Sequence, residues 1–419
     1  MRVLFTTYAE KSHFLGMVPL AWALRNAGHE VRVASQPELT DVITGAGLTA
    51  VPVGRDHSLG RVLQHAKDSG QEKDFDMAED RPEMLTWEKI REGYQGHVLW
   101  WCRLVNDPMI VDLTDFCRHW KPDLVIWEPL TYAGAIAAKA TGAAHARFMW
   151  GLDLFARMRG HYLRARREHG GHLSDALGQW MGLHARRAGV AFSEDMTSGH
   201  FTIDYTPTSL RLDLPHTYLP LRYIPYNGTA VIPPWLHTPP TRPRICLTLG
   251  TSATERLDGY SVPVQDILTH LADLDIEIIA TLPEKQQAEL HHVPTNTRLV
   301  SFVPLHALAP TCSAIIHHGG GGSFSTSLVN AVPQLILADM FDAPLKGELL
   351  ARQGAGLTLH SSQATGPNVR EHLLRLLNDP THTHAAQRLR QETLTTPGPN
   401  QLVPELERLT AHHRDTVSG

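Results

Sequence analysis

Ala314-Ile315-Ile316-His317-His318-Gly319-Gly320-Gly321-Gly322-Ser323 is the stretch that decides the reading of the fold. Its first four residues are an apolar strand end, and the glycines that follow let backbone N–H groups approach a neighbour that any Cβ would hold off. Residues 324–330 then read as a helix. Strand, glycine turn and helix in succession form the building unit of a parallel sheet covered by helices. An anion at such a turn meets the orphan N–H groups and the positive end of the helix, each contact worth about 0.3–2 kcal/mol. Ser323 either caps the helix or bonds the anion, and His318 adds a polar donor beside it. A plain flexible turn is the alternative, but it needs neither the paired histidines nor the serine.

Working outward, the same alternation covers much of the 419-residue chain. Residues 2–7 read as a strand, 14–27 as a helix, 29–35 as a strand, 37–46 as a helix and 48–53 as a strand. Periodicity weakens over 54–121, with a helix expected around 97–105. It returns with a strand at 122–128, an Ala/Gly-rich helix at 132–142 and a strand at 145–150. Pro225, Pro233, Pro234, Pro239, Pro240 and Pro243 then exclude helix and central strand. A second series follows, with strands at 245–249, 276–281, 298–303, 314–317 and 334–337 and a helix at 262–274. Single cores stop growing near ~250–300 residues. The expected organisation is therefore α/β, with two doubly wound, Rossmann-like domains in tandem: residues 1–222, a Pro-rich linker at 223–243, and residues 244–400. A C-terminal helix or tail at 401–419 is expected to pack back on the first domain.

Hydrophobic residues make up 42% of the chain and charged residues 19%, the balance of a folded globule. A formal net charge of -5 gives no attraction to nucleic acid or acidic lipid, so a small ligand is the better default. Cys102, Cys117, Cys246 and Cys312 show no zinc spacing and read as reduced structural thiols. No signal peptide or run of ~18 apolar residues is present, which fits a cytoplasmic address and no membrane. The 26 histidines lack paired ligand spacing, so no metal site is expected. Asp74-Phe75-Asp76 and Asp273-Leu274-Asp275 satisfy Asp-x-Asp, but one lies in a polar stretch and the other before a strand. No Walker loop or G-x-G-x-x-G is present, and Ser325 stands where a nucleophile elbow needs glycine.

The glycine loop, with Val332-Pro333-Gln334, Asp342 and Gly354-Ala355-Gly356, resembles the donor signature of GT-B glycosyltransferases acting on natural products. The likeness extends to Ala27-Gly28-His29-Glu30-Val31, Leu247-Thr248-Leu249-Gly250-Thr251 and Phe302-Val303-Pro304. It implies two domains facing across a cleft. It also implies that His318, Gly320, Gly322 and Ser323 hold a diphosphate, that Thr251 and Ser252 approach it, that Phe302 and Val303 line the nucleobase, and that Asp342 bonds sugar hydroxyls. Relatives using ordinary hexoses commonly carry Asp-Gln where this chain has Asp342-Ala343, which hints at a deoxygenated sugar.

His13 occupies the family's Gly-His position, with Ser12 in place of the glycine, and Glu128 stands where the family usually has aspartate. A near-neutral imidazole held by a carboxylate suits removal of the acceptor hydroxyl proton in an inverting transfer. From position alone, a capping histidine and an ion-paired glutamate explain these residues equally well.

Lys11-Ser12-His13, Val18-Pro19-Leu20-Ala21-Trp22-Ala23, residues 122–131, Ile224-Pro225-Tyr226-Asn227-Gly228 and residues 303–308 are more particularly similar to actinomycete macrolide and anthracycline deoxysugar transferases. That likeness implies a TDP-deoxysugar donor, a polyketide aglycone acceptor, no tightly bound cofactor and no metal. It also implies a haem-free cytochrome-like auxiliary protein on the first domain, while a homodimer stays open. Trp87, Trp100, Trp101, Trp150 and Trp180 read as apolar anchors for the acceptor or that partner, or as ordinary core. A nucleotide-sugar epimerase and a silent sugar-nucleotide-binding regulator are the alternative functions.

Overall fold

Val3-Leu4-Phe5 and Leu124-Val125-Ile126-Trp127 have no polar face, and in the computed structural model of the chain both are central strands with no exposed surface. The structure describes residues 1–62, 75–79, 81, 83–171, 174–250, 262–339 and 341–415. The chain forms two units, one made of Met1–Tyr205, Leu212–Leu221 and Pro397–Gly419, the other of Thr206–Arg211 and Arg222–Thr396. The Pro-rich stretch thus belongs to the second unit, where Asn227 Oδ1 accepts from the backbone N–H of His306 at 3.2 Å.

In the first unit, β1 (Arg2–Thr6), β2 (Glu30–Ser35), β3 (Ala50–Pro52), β4 (Leu124–Trp127), β5 (Ala144–Phe148), β6 (Phe201–Asp204) and β7 (Tyr218–Pro220) make one sheet in the order β3-β2-β1-β4-β5-β6-β7. Every pairing is parallel. Chain order reverses between β1 and β4, where Thr6 lies opposite Trp127. The helix Pro399–Asp415 packs on the helix Val18–Asn26 and on β5, and His29 Nε2 meets Glu407 at 3.0 Å.

The second unit carries β8 (Arg244–Thr248), β9 (Glu277–Thr281), β10 (Thr297–Val300), β11 (Ala314–His317), β12 (Gln334–Ala338) and β13 (Gly356–His360), all parallel, in the order β10-β9-β8-β11-β12-β13. The reversal here falls between β8 and β11. Ligands bind doubly wound sheets at the C-terminal strand ends beside such a reversal. His13 follows β1, Glu128 follows β4, and the glycine loop follows β11.

Several expectations need correction. The helix expected at 14–27 is two, Lys11–Leu15 and Val18–Asn26, because Pro19 opens a new first turn. The helix expected near 97–105 starts at Trp87 and reaches Asn106 through one wider turn at Val98–Cys102. Trp87, Ile90, Tyr94 and Val98 supply its buried stripe. β6, β7 and β13 were not anticipated; β6 and β7 have only four and three residues. All four cysteines are free, and no helix among the described residues is long and apolar enough to cross a membrane.

The helix Tyr132–Thr141 lies tightly over the β1/β4 junction: a Cβ on Gly134 would stand 2.4 Å from Thr6 Oγ1 and 2.7 Å from Trp127 Cβ. Overpacking of this kind typically costs about 1–3 kcal/mol. Gly134→Val is expected to lower the urea midpoint accordingly with an unchanged slope, and a wild-type midpoint contradicts the close approach.

Candidate active site

Glu128 sits just beyond β4 with a fully buried side chain, so its oxygens need donors from the protein. His13 Nδ1 lies 3.1 Å from Oε2, the Trp150 indole N–H donates to Oε2 at 3.0 Å, and the Leu130 N–H donates to it at 3.2 Å. The Thr131 hydroxyl donates to Oε1. A carboxylate acceptor places the imidazole proton on Nδ1 and leaves the Nε2 lone pair outward. Lys11–Leu15 carries His13 and is capped by Glu10, whose carboxylate accepts from the Ser12 N–H at 3.1 Å. The His13 ring packs edge-on with Tyr8, centroids 5.3 Å apart, and lies against Trp150 at 4.1 Å with planes 22° apart. The structure therefore brings the His13 imidazole and the Glu128 carboxylate into direct contact. Trp150 belongs to this pair, whereas Trp87 and Trp180 are buried and Trp100 is exposed.

In the second unit the helix Gly321–Val329 begins within the glycine run, three residues earlier than expected, and Gly320 is its N-cap. Ser323 is consequently not the cap; it lies in the first turn. A cap without a side chain leaves the first-turn N–H groups to a ligand. His318 explains two glycines: a Cβ on Gly250 would meet its Cε1 at 2.5 Å, and one on Gly320 its Nε2 at 2.4 Å. His317 is structural, with Nδ1 accepting from the Gly319 N–H at 3.0 Å and Nε2–H donating to Gln334 Oε1 at 2.8 Å.

Asp342 follows Phe341, whose φ of +56° is unusual for a bulky residue and marks a constrained turn. The Asp342 carboxylate pairs at 2.9 Å with Lys346, one helical turn on, and the buried Lys346 ammonium also donates to the Gly319 carbonyl at 2.9 Å. Lys346 thus ties Asp342 to the glycine loop, a residue the motif reading missed although its spacing from Asp342 was a signal. Ala343 is buried against that loop, in the same cluster as Phe324 and Ile336. Phe302 is 55% exposed, but Val303 packs into the core with Cys246 and Ile315, so its side chain is not on the surface beside Phe302. Thr251 and Ser252 lie outside the described residues, as does Asp74 of the first Asp-x-Asp. Of the second, Asp273 is paired with Arg370 and Asp275 with Arg242.

Among the described residues, His145, Asp195 and His200 have the spacing of metal ligands. Their hydrogen bonding opposes that use. His145 Nδ1 accepts from the Trp127 indole at 3.4 Å and His200 Nδ1 from the His145 N–H at 3.3 Å, so each ring carries a proton on the Nε2 facing Asp195. Lys139 also donates to Asp195 at 3.0 Å. The cluster is an anchor, with His413 of the C-terminal helix stacked on His200 at 4.4 Å.

The first part of this architecture, residues 22–250, matches the erythromycin biosynthesis protein CIII-like N-terminal domain, and residues 265–409 match the corresponding C-terminal domain. The chain belongs to this family of GT-B glycosyltransferases. It is 51% identical to 10-deoxymethynolide desosaminyltransferase of Streptomyces venezuelae, over 99% of this chain and 98% of the relative. It is 47% identical to aclacinomycin-T 2-deoxy-L-fucose transferase of Streptomyces galilaeus, over 99% and 97%. The crystal structure of glycosyltransferase VinC in complex with dTDP superposes with a TM-score of 0.89 at 39% identity, covering 98% of this chain and 100% of VinC.

Burial pushes His317 down to about 3 and His318 and His145 to about 4, with the Lys346 charge adding to the effect at His317 and His318. These folded values lie below the unfolded value of about 6.5, so the unfolded chain binds more protons on acidification. Their contribution is complete above pH ~6.5 and is lost as pH falls through about 4. Thermal melting is expected to drop steadily over that window, and an unchanged melting temperature between pH 7 and 4 contradicts these assignments.

Proposed function

We propose that this glycosyltransferase moves a deoxysugar from a TDP-activated donor to a hydroxyl of a polyketide aglycone, with inversion and without a metal, in antibiotic biosynthesis. The observation that carries the reading is the His13–Glu128 pair at the reversal of the first sheet. His13 Nε2 takes the proton from the acceptor hydroxyl as that oxygen attacks the anomeric carbon. The bond from that carbon to the diphosphate breaks, and its electrons leave with the diphosphate. Glu128 keeps the imidazole in the required tautomer and balances the imidazolium.

The second unit serves the donor. The N–H groups at Gly321, Gly322 and Ser323, beside His318, receive the developing diphosphate charge. Phe302 lines the nucleobase, Val303 anchors that stretch to the core behind it, and Asp342 bonds the donor sugar hydroxyls. Relatives named for desosaminyl and 2-deoxy-L-fucose transfer support the donor class, and the dTDP complex of VinC supports the nucleotide. Cytoplasmic action and dependence on a haem-free cytochrome-like auxiliary protein belong to the same reading; full turnover by the lone chain overturns that dependence.

His13→Ala is expected to lower transfer by about 10²–10⁴-fold while melting and TDP binding stay near wild type. Wild-type turnover in that variant removes the assignment. In EDTA, transfer is expected to persist, and loss restored by Mg²⁺ contradicts the metal-free mechanism. In thermal-shift titrations TDP is expected to stabilise the chain more than UDP.

A further inference from the structure

Among the described residues, four donors converge on Glu128, and three come from its immediate surroundings in sequence or from the base it serves. Leu130 and Thr131 follow it in the same turn, and His13 is its catalytic partner. Trp150 differs from all of these. It arrives from the chain beyond β5 and touches both members of the pair, its indole N–H on Glu128 Oε2 at 3.0 Å and its ring on the His13 imidazole at 4.1 Å. Phe155 meets the indole edge-on at 6.1 Å, and Phe155 is itself buried.

Two physical consequences follow from that placement. A hydrogen bond to Nδ1 alone leaves the imidazole free to tilt about its own bond to the carboxylate, whereas an indole lying 22° from parallel fixes the ring plane and hence the direction of Nε2. The electron-rich indole face attracts the ring only weakly while it is neutral and more strongly once it has taken the proton, so the contact strengthens as the reaction proceeds. The indole N–H meanwhile satisfies a buried carboxylate oxygen without bringing a second positive charge to compete with the imidazolium.

We infer that Trp150 is a positioning residue for sugar transfer, setting the plane of His13 by its stacked face and holding the Glu128 carboxylate in place by its indole N–H. The inference rests on His13 being the base. Trp150→Leu removes both contacts, and Trp150→Phe keeps a face but lacks the N–H. Each is to be made in the wild type and in His13→Ala, with kcat, both KM values, TDP binding and melting measured. Misplacement of a reacting group costs up to about a hundredfold. The expected result is a fall in kcat of about ten- to hundredfold for Trp150→Leu with KM values and TDP binding little changed. Trp150→Phe should recover part of it, and neither change should further reduce the residual turnover of His13→Ala. An equal loss in the His13→Ala background, or unchanged kcat in Trp150→Phe and Trp150→Leu, overturns the inference. Should Trp150→Leu not fold, Trp150→Phe carries the same cycle by itself. Retained turnover in His13→Ala alone would instead overturn the reading of the base.

Discussion

A parallel strand cannot turn back on its neighbour; each must be followed by a crossover, and where crossovers run outward in opposite directions two adjacent strand ends are left uncovered. This constraint acts twice in the chain, at β1/β4 and at β8/β11. Side chains and peptide groups just past those ends are not claimed by the sheet. In the first unit they are His13 and Glu128, and in the second the glycine loop with Gly250 near its histidine. The central strands are apolar on both faces because they must be buried, and that burial makes the positions beyond their ends rigid enough for chemistry.

The two ends solve the problem of polar groups in a dry setting differently. Around Glu128 the carboxylate collects an indole N–H, a peptide N–H, a hydroxyl and an imidazole, with His13 the one titratable group among them. Around the glycine loop a buried lysine supplies positive charge, and the neighbouring histidines are kept neutral by burial. Neutral imidazoles there can accept or donate locally without adding repulsion to Lys346.

Much of this was legible in the sequence where the signal is local. The strand ending at His317, the glycines after it, and the placement of His13 and Glu128 beyond apolar strands all follow from short patterns. The helix from Trp87 was half missed because its apolar spacing is diluted by charged residues such as Glu88, Lys89 and Arg91. Ser323 is a good capping residue, so the sequence leaves capping and anion bonding both open, and only the backbone shows that Gly320 is the N-cap. Trp150 and Glu128 are twenty-two residues apart and meet because β4 and β5 are neighbours, a pairing that no local spacing encodes. Val303 faces the core although it follows an exposed Phe302, which reflects where β10 stops and the chain bends, not residue type.

The Asp342–Lys346 pair bears on how the corner beside the glycine loop can be altered. Removing one member of a buried ion pair leaves its partner uncompensated, typically at about 3–5 kcal/mol, while exchanging both for well-packed neutral residues can be free of that penalty. Because Lys346 also holds the Gly319 carbonyl, a lone change at Asp342 disturbs the glycine loop as well as the ion pair. A variant that alters one member of the pair therefore starts from a destabilised corner and must draw on stability gained elsewhere, so positions 342 and 346 form one unit for redesign.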